Sequence, residues 1–107
     1  MGLPMARMNI GSVGDYPEQR GVAVRVAERR LAVFRIGSQI FAIEDSCPHR
    51  HFPLYDGVVN GLTVRCRTHG SCFDLTTGAV ERGPAAVGVR VYHAAIVGDQ
   101  VEVEIPD

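Results

Sequence analysis

Apolar residues in this chain recur at every second position, and nowhere does a helical period hold over ten residues. Val22, Val24 and Val26 alternate with Ala23 and Arg25, and short β-branched or aromatic runs follow at residues 31–36, 40–43, 62–65, 87–92, 95–97 and 101–105. A period of two places successive side chains on opposite faces of a sheet, so these runs read as strands. Turn signals separate them at Gly37-Ser38, Asn60-Gly61, Thr77-Gly78 and Gly98-Asp99. Asn60-Gly61 is the strongest, because a tight hairpin of this type needs positive φ at both central positions. Residues 15–20, with Asp15 as cap and Pro17 early, leave room for one helical turn. There are no internal repeats, linkers or low-complexity tracts. The expectation is a single domain over residues 1–107, near the commonest size for one hydrophobic core, built as an all-β fold of about eight to ten short antiparallel strands.

Composition narrows the function classes. A formal net charge of −1 gives no general attraction to nucleic acid or to an anionic membrane. No apolar run approaches the length of a bilayer span, and residues 1–8 lack a basic stretch followed by an apolar one. These features point to a cytoplasmic protein whose thiols stay reduced. Three cysteines are an odd number, and two of them stand beside histidines, which favours a metal site over a disulfide framework.

The alternation breaks twice, over residues 45–52 and 66–73, where metal-binding side chains gather. The first segment contains Cys47-Pro48-His49 and the second Cys66-Arg67-Thr68-His69, with sixteen residues between His49 and Cys66. Each loop thus supplies one thiolate and one imidazole, and the hairpin between them would bring the loops face to face. Two cysteines can then meet on one iron and two histidines on another, the ligand set of a two-iron, two-sulfide cluster. Tetrahedral zinc also accepts two Cys and two His, although zinc sites more often pair Cys with Cys and His with His at wider spacings. Either metal would use Cys47, His49, Cys66 and His69.

This paired motif, the alternating strands before it and Gly83-Pro84-Ala85 after it resemble Rieske ferredoxins, the one-electron carriers that serve bacterial ring-hydroxylating dioxygenases. The resemblance runs over residues 22–104. It implies stacked antiparallel sheets with a small cluster-binding subdomain at about residues 45–75, and one Rieske [2Fe–2S] cluster on Cys47, His49, Cys66 and His69. It implies that Gly83-Pro84 lies in a loop covering the cluster. It further implies a monomeric carrier and not an enzyme, passing electrons from a flavin-dependent ferredoxin reductase to a terminal oxygenase. A small Rieske subunit of an NAD(P)H-dependent nitrite reductase is the alternative role. Two residues depart from the family pattern: His51 stands where Gly is frequent, and Arg67 where Pro is frequent.

Other residues are read more plainly. His51 is a neighbour of the ligands, Cys72 a small strand residue, and His93 structural or exposed. Asp74 is expected to tether the second loop through backbone hydrogen bonds. Arg50, Arg65 and Arg67 form a basic rim suited to an acidic patch on a redox partner.

The cluster's charge sets its potential. Two ferric ions, two sulfides, two thiolates and two neutral imidazoles sum to zero, so an added electron meets less repulsion than in an all-cysteine site. High-potential Rieske proteins of respiratory complexes add a loop-to-loop disulfide, a Ser hydroxyl and a Tyr hydroxyl. By resemblance the disulfide positions here are Phe52 and Thr68, Ser71 keeps the Ser, and Phe73 replaces the Tyr. A midpoint below about +100 mV is therefore expected, in a class range of roughly −150 to +300 mV, and a redox titration measures it.

Overall fold

The computed structural model describes residues 5–106. Its strands are β1 (Met5–Ser12), β2 (Gly21–Val26), β3 (Arg29–Ile36), β4 (Gln39–Glu44), β5 (Val58–Asn60), β6 (Thr63–Arg65), β7 (Cys72–Asp74), β8 (Val80–Arg82), β9 (Val91–Tyr92), β10 (Ala94–Val97) and β11 (Gln100–Pro106). They form three antiparallel sheets, ordered β1-β11-β10, β2-β3-β4-β9 and β5-β6-β7-β8. The class matches the expectation; the strands beyond those read from the pattern are β1 and the three-residue β5, β7 and β8, the last three too short to carry a pattern.

Alternation explains the layering. In β11, Val101, Val103 and Ile105 are buried while Glu102 and Glu104 point outward to exposed ion pairs with Arg7. Strand β3 is buried on both faces. Its Leu31 and Val33 pack into a core shared with Val101, Val103 and Ile105, whereas Ala32 and Phe34 join Leu54, Val64, Phe73 and Leu75. The β2-β3-β4-β9 sheet is thus the middle layer, with β1-β11-β10 on one side and the β5–β8 sheet on the other. Each fully buried Val, Leu or Phe contributes about 1.5–3 kcal/mol, which is what holds the third sheet on the second.

Three local expectations are corrected. The run at 87–92 keeps only Val91–Tyr92 as strand, because the amide of Val89 donates to the Gly78 carbonyl at 2.8 Å and holds the turn after β7. The helical turn lies earlier than expected, as a 3-10 turn at Val13–Asp15, where the Asp15 carboxylate accepts the Ser12 N–H at 2.9 Å. In the β5–β6 hairpin Asn60 pairs with Thr63, so the central residues are Gly61-Leu62, and of these only Gly61 has positive φ (61°). That is the pattern of a type II′ turn, with glycine in the first central position. Strand β1 carried no alternating signal; Met5 and Met8 are exposed, and pairing to β11 makes it a strand. Part of the N-terminal reading fell on residues 1–4, which lie outside the described residues. Among the described residues no helix is long and apolar enough to cross a membrane.

The β2–β3 hairpin is a turn that sequence alone hid. Val26 pairs with Arg29, and the two central residues, Ala27 (φ 48°) and Glu28 (φ 65°), are both left-handed. Left-handed φ costs an ordinary L-residue roughly 1–2 kcal/mol, and Asn-Gly is the pair best suited to this turn. Replacing Ala27-Glu28 with Asn-Gly should stabilise the protein by about 1 kcal/mol after the entropy of the new glycine is counted, raising Tm by roughly 4–8 °C in a thermal melt followed by far-UV circular dichroism.

Candidate metal centre

The two interruptions in the strand pattern are the same turn built twice. In the first, the Cys47 amide donates to the Phe52 carbonyl at 2.7 Å, and the Cys47 carbonyl accepts the His51 amide at 2.6 Å. In the second, the Cys66 amide donates to the Ser71 carbonyl at 2.8 Å, and the Cys66 carbonyl accepts the Gly70 amide at 3.0 Å. The residue four places beyond each cysteine is left-handed: His51 at φ 60° and Gly70 at φ 81°. The frequency of glycine at the His51 position thus has a backbone reason, and histidine is among the residues that tolerate this region. The His51 ring is exposed and its Nδ1 lies 3.3 Å from Ser46 Oγ, so it is not gathered with the other rings.

Short strands β6 and β7 carry the second turn, and the β5–β6 hairpin leads the chain from the first turn to the second. The result brings together all four residues singled out from the sequence, sulfur with sulfur and ring with ring. Cys47 and Cys66 are each 2% exposed, and their thiols are adjacent. The rings of His49 and His69 meet edge to face, with centroids 4.9 Å apart and planes at 81°. Among the described residues no three His, Cys, Asp or Glu side chains converge closely enough to hold one ion. The arrangement suits a larger group gripped from two ends.

Electrostatics fit such a group. Burial pushes the Cys47 thiol above its ordinary pKa, and the adjacent Cys66 adds to the rise. The His49 backbone N–H and the Ser71 hydroxyl oppose it by hydrogen bonding to the sulfur. Two donors already aimed at this sulfur would stabilise negative charge on it. The Nδ1 of His49 is buried and has no hydrogen-bond partner. A buried ring nitrogen left unbonded carries a desolvation penalty of about 1–3 kcal/mol, which a metal bond would remove. The residues present therefore fit a cluster of irons bound by sulfur on one side and imidazole on the other.

Of the supports around the site, Asp45 is the one that the sequence reading does not single out. Asp45 Oδ1 accepts the amides of Leu54 at 2.6 Å and Tyr55 at 2.8 Å, while the Asp45 amide donates to the Arg30 carbonyl at 3.0 Å. This buried carboxylate ties the first turn to β3. Its signal was an acidic residue ending an apolar strand immediately before a loop, the setting in which Asp bonds nearby backbone. Ser71, fully buried, accepts the Ala85 amide at 2.9 Å on Oγ, which fixes the segment after Gly83-Pro84 against the second turn. Asp74 proves to tether a different loop from the one expected. Its carboxylate accepts the hydroxyl and amide of Thr76 and the amide of Thr77, closing the turn between β7 and β8 and holding its pKa below the usual value. Cys72 is half-buried in β7 with its thiol 3.6 Å from the Gly70 carbonyl, and His93 is exposed between β9 and β10.

Buried thiols facing paired imidazoles on stacked β-sheets define an iron–sulfur protein that carries single electrons. The sequence profile of the Rieske [2Fe–2S] domain matches residues 6–93, and the chain belongs to that family. It is 38% identical over 96 residues to the anthranilate 1,2-dioxygenase ferredoxin subunit of Burkholderia cepacia, covering 90% of this chain and 89% of that one. The ferredoxin of carbazole 1,9a-dioxygenase from Nocardioides aromaticivorans IC177 superposes with a TM-score of 0.89 at 26% identity, over 95% of this chain and 99% of that one. A ferredoxin solved in complex with the reduced oxygenase of carbazole 1,9a-dioxygenase superposes at 0.83 with 30% identity, over 91% of each chain. The family carries one Rieske-type cluster, and this chain is an electron-transfer component, not a catalyst.

Removing the Asp45 carboxylate leaves two amides without their acceptor. Asp45→Ala should lower stability by about 2–4 kcal/mol in urea denaturation and reduce the iron and sulfide bound per chain, whereas Asp45→Asn, which keeps one acceptor oxygen, should retain most of both.

Proposed function

We propose that Cys47, His49, Cys66 and His69 hold the Rieske [2Fe–2S] cluster and that the protein passes electrons from a flavin-dependent ferredoxin reductase to a terminal oxygenase. The observation that carries the ligand assignment is the pairing of like with like, two buried thiols adjacent and two imidazoles edge to face, with His49 Nδ1 unbonded. When bound, the cluster takes up and returns one electron at a potential raised by its imidazole ligands. The protein's own residues do the rest. Cys47 and Cys66 sit where water is excluded, Ser71 and the His49 amide donate to the Cys47 sulfur, and His69 reaches the surface. An oxygenase as the accepting partner is supported by the relatives, which are named as ferredoxin components of dioxygenases, one of them solved with its oxygenase. The exposed arginines 50, 65 and 67 suit a partner that presents an acidic patch. We read the chain as a single monomeric unit working in the cytoplasm, where Cys47, Cys66 and Cys72 remain unpaired.

Anaerobically reconstituted protein should be red-brown, with a reduced-state EPR signal whose average g lies below the free-electron value. Cys47→Ala and His69→Ala should each abolish that signal while the folded circular dichroism spectrum persists. A colourless protein binding one divalent ion per chain contradicts the assignment. Delivery is checked by NADH-driven oxygenase turnover in a reconstituted three-component system: omitting this protein should stop turnover, and size-exclusion chromatography should show it monomeric between encounters.

A further inference from the structure

Strands β2 and β3 set two arginines directly opposite each other. Arg25 pairs with Arg30 in the register, so both side chains leave the same face of the middle sheet, with Cβ atoms about 5 Å apart. Like charges in that position destabilise a sheet, and nothing in the fold offsets them. Among the described residues every ion pair is made by Arg7 or Arg35, and Arg25 and Arg30 are both exposed. Asp45 comes next in the same row, since its amide donates to the Arg30 carbonyl. Its carboxylate is committed elsewhere, accepting the amides of Leu54 at 2.6 Å and Tyr55 at 2.8 Å. It forms no ion pair with either guanidinium.

Beside the pair the surface is hollow. Ala23, Val24, Arg25, Arg30 and Asp45 line a cleft of about 210 Å³. Ala23 stands two residues along β2 from Arg25 on the same face and offers only a methyl group, which leaves space next to the guanidiniums. This is the face that carries the third sheet: Ala32, the cross-strand partner of Ala23, is buried with Phe34 and Cys47. We propose that Arg25 and Arg30 form a binding site for a phosphate group, free or esterified. A phosphate monoester brings a charge of about −1.5 to −2 at neutral pH and three acceptor oxygens, enough for two guanidinium forks at once. A carboxylate brings one charge and two oxygens, which a single arginine satisfies. Bound phosphate replaces the repulsion between the arginines with the attraction of each to a shared dianion, which explains why the pair stands where folding alone disfavours it. The site draws on none of the four proposed cluster ligands and none of the three rim arginines.

The test uses the intact, cluster-loaded protein, with inorganic phosphate, phenyl phosphate and benzoate as probes in titration calorimetry at constant ionic strength. A phosphate should bind at one site per chain, and benzoate should bind about tenfold more weakly or worse. Arg25→Ala and Arg30→Ala should each weaken phosphate binding about tenfold or more, through loss of one set of charge-assisted hydrogen bonds. Arg82→Ala, which removes an equal charge from an exposed position in β8, should stay within about twofold of wild type. Thermal melts give a second reading. In phosphate-free buffer of low ionic strength each single variant should melt at or above the wild-type temperature, because it relieves the repulsion, and in phosphate the order should reverse. Tighter binding of phenyl phosphate assigns the site to a phosphate ester and equal binding to free phosphate; both support the site. The proposal is overturned if wild type binds neither phosphate more tightly than the double variant Arg25→Ala/Arg30→Ala does. It is equally overturned if benzoate binds as tightly as phosphate, or if Arg82→Ala weakens binding as much as Arg25→Ala.

Discussion

A single hydrogen-bonded turn, closed on a cysteine's own amide and carbonyl and used twice, is the constraint on which the metal centre depends. In each copy the cysteine amide and carbonyl are both committed to the turn, so the side chain's position is fixed by backbone geometry before any metal arrives. The first copy carries its histidine two residues after the cysteine and the second three residues after, yet the rings still meet, because the copies face each other across strands that set their separation. Loss of either turn would free a thiol into water and remove the asymmetry between a sulfur end and an imidazole end.

Burial of the thiols is a consequence of layering. Cys47 and Cys66 belong to the same apolar cluster as Phe34, Leu54, Val64, Phe73 and Leu75, so the cores of the middle sheet and of the third sheet close directly beneath the sulfurs. Close approach is enforced at the base. A Cβ on Gly21 would collide with the Tyr55 carbonyl oxygen, so β2 can lie against the chain leaving the first turn only because that residue is glycine. Asp45 binds the same segment from the other side through the Leu54 and Tyr55 amides. The first turn is clamped between a steric requirement and a buried carboxylate, and its stiffness is a property of the middle sheet as much as of the turn.

Legibility follows physical range. Strands whose alternation comes from burial, such as β2, β3 and β11, are visible in sequence because each inward residue is apolar for its own sake. The four metal-binding candidates are visible because their chemistry is rare and their spacing short. Strand β1 was hidden because its strand character is conferred by β11 and not by its own residues. The Ala27-Glu28 turn was hidden because neither residue favours positive φ, so the flanking strands impose it. The β5–β6 turn was located from Asn60-Gly61 but shifted by one position, since register depends on which residues pair, and Asn60 pairs with Thr63. Ser71 was recognised by position, but its bond to the Ala85 amide joins segments fourteen residues apart that no local pattern connects.

That bond links structure to redox behaviour. Ser71 Oγ accepts from Ala85, which leaves its proton free to point at Cys47, so the segment after Gly83-Pro84 orients a donor onto the sulfur without itself touching it. Stabilising negative charge on a sulfur favours the reduced state over the oxidised one, because reduction adds charge that the ligands partly carry. Phe73, fully buried in the same core, offers no second hydroxyl. With Cys47 as a cluster ligand, the potential would thus be bounded by two features of opposite sense, a donor retained at Ser71 and a donor absent at Phe73. Both are set by packing beneath the buried thiols, whereas the His69 ring is exposed. On the proposed ligand assignment, driving force would be tuned from the buried sulfur end of the site and access from its exposed imidazole end, so that either could change in this scaffold without obliging the other to follow.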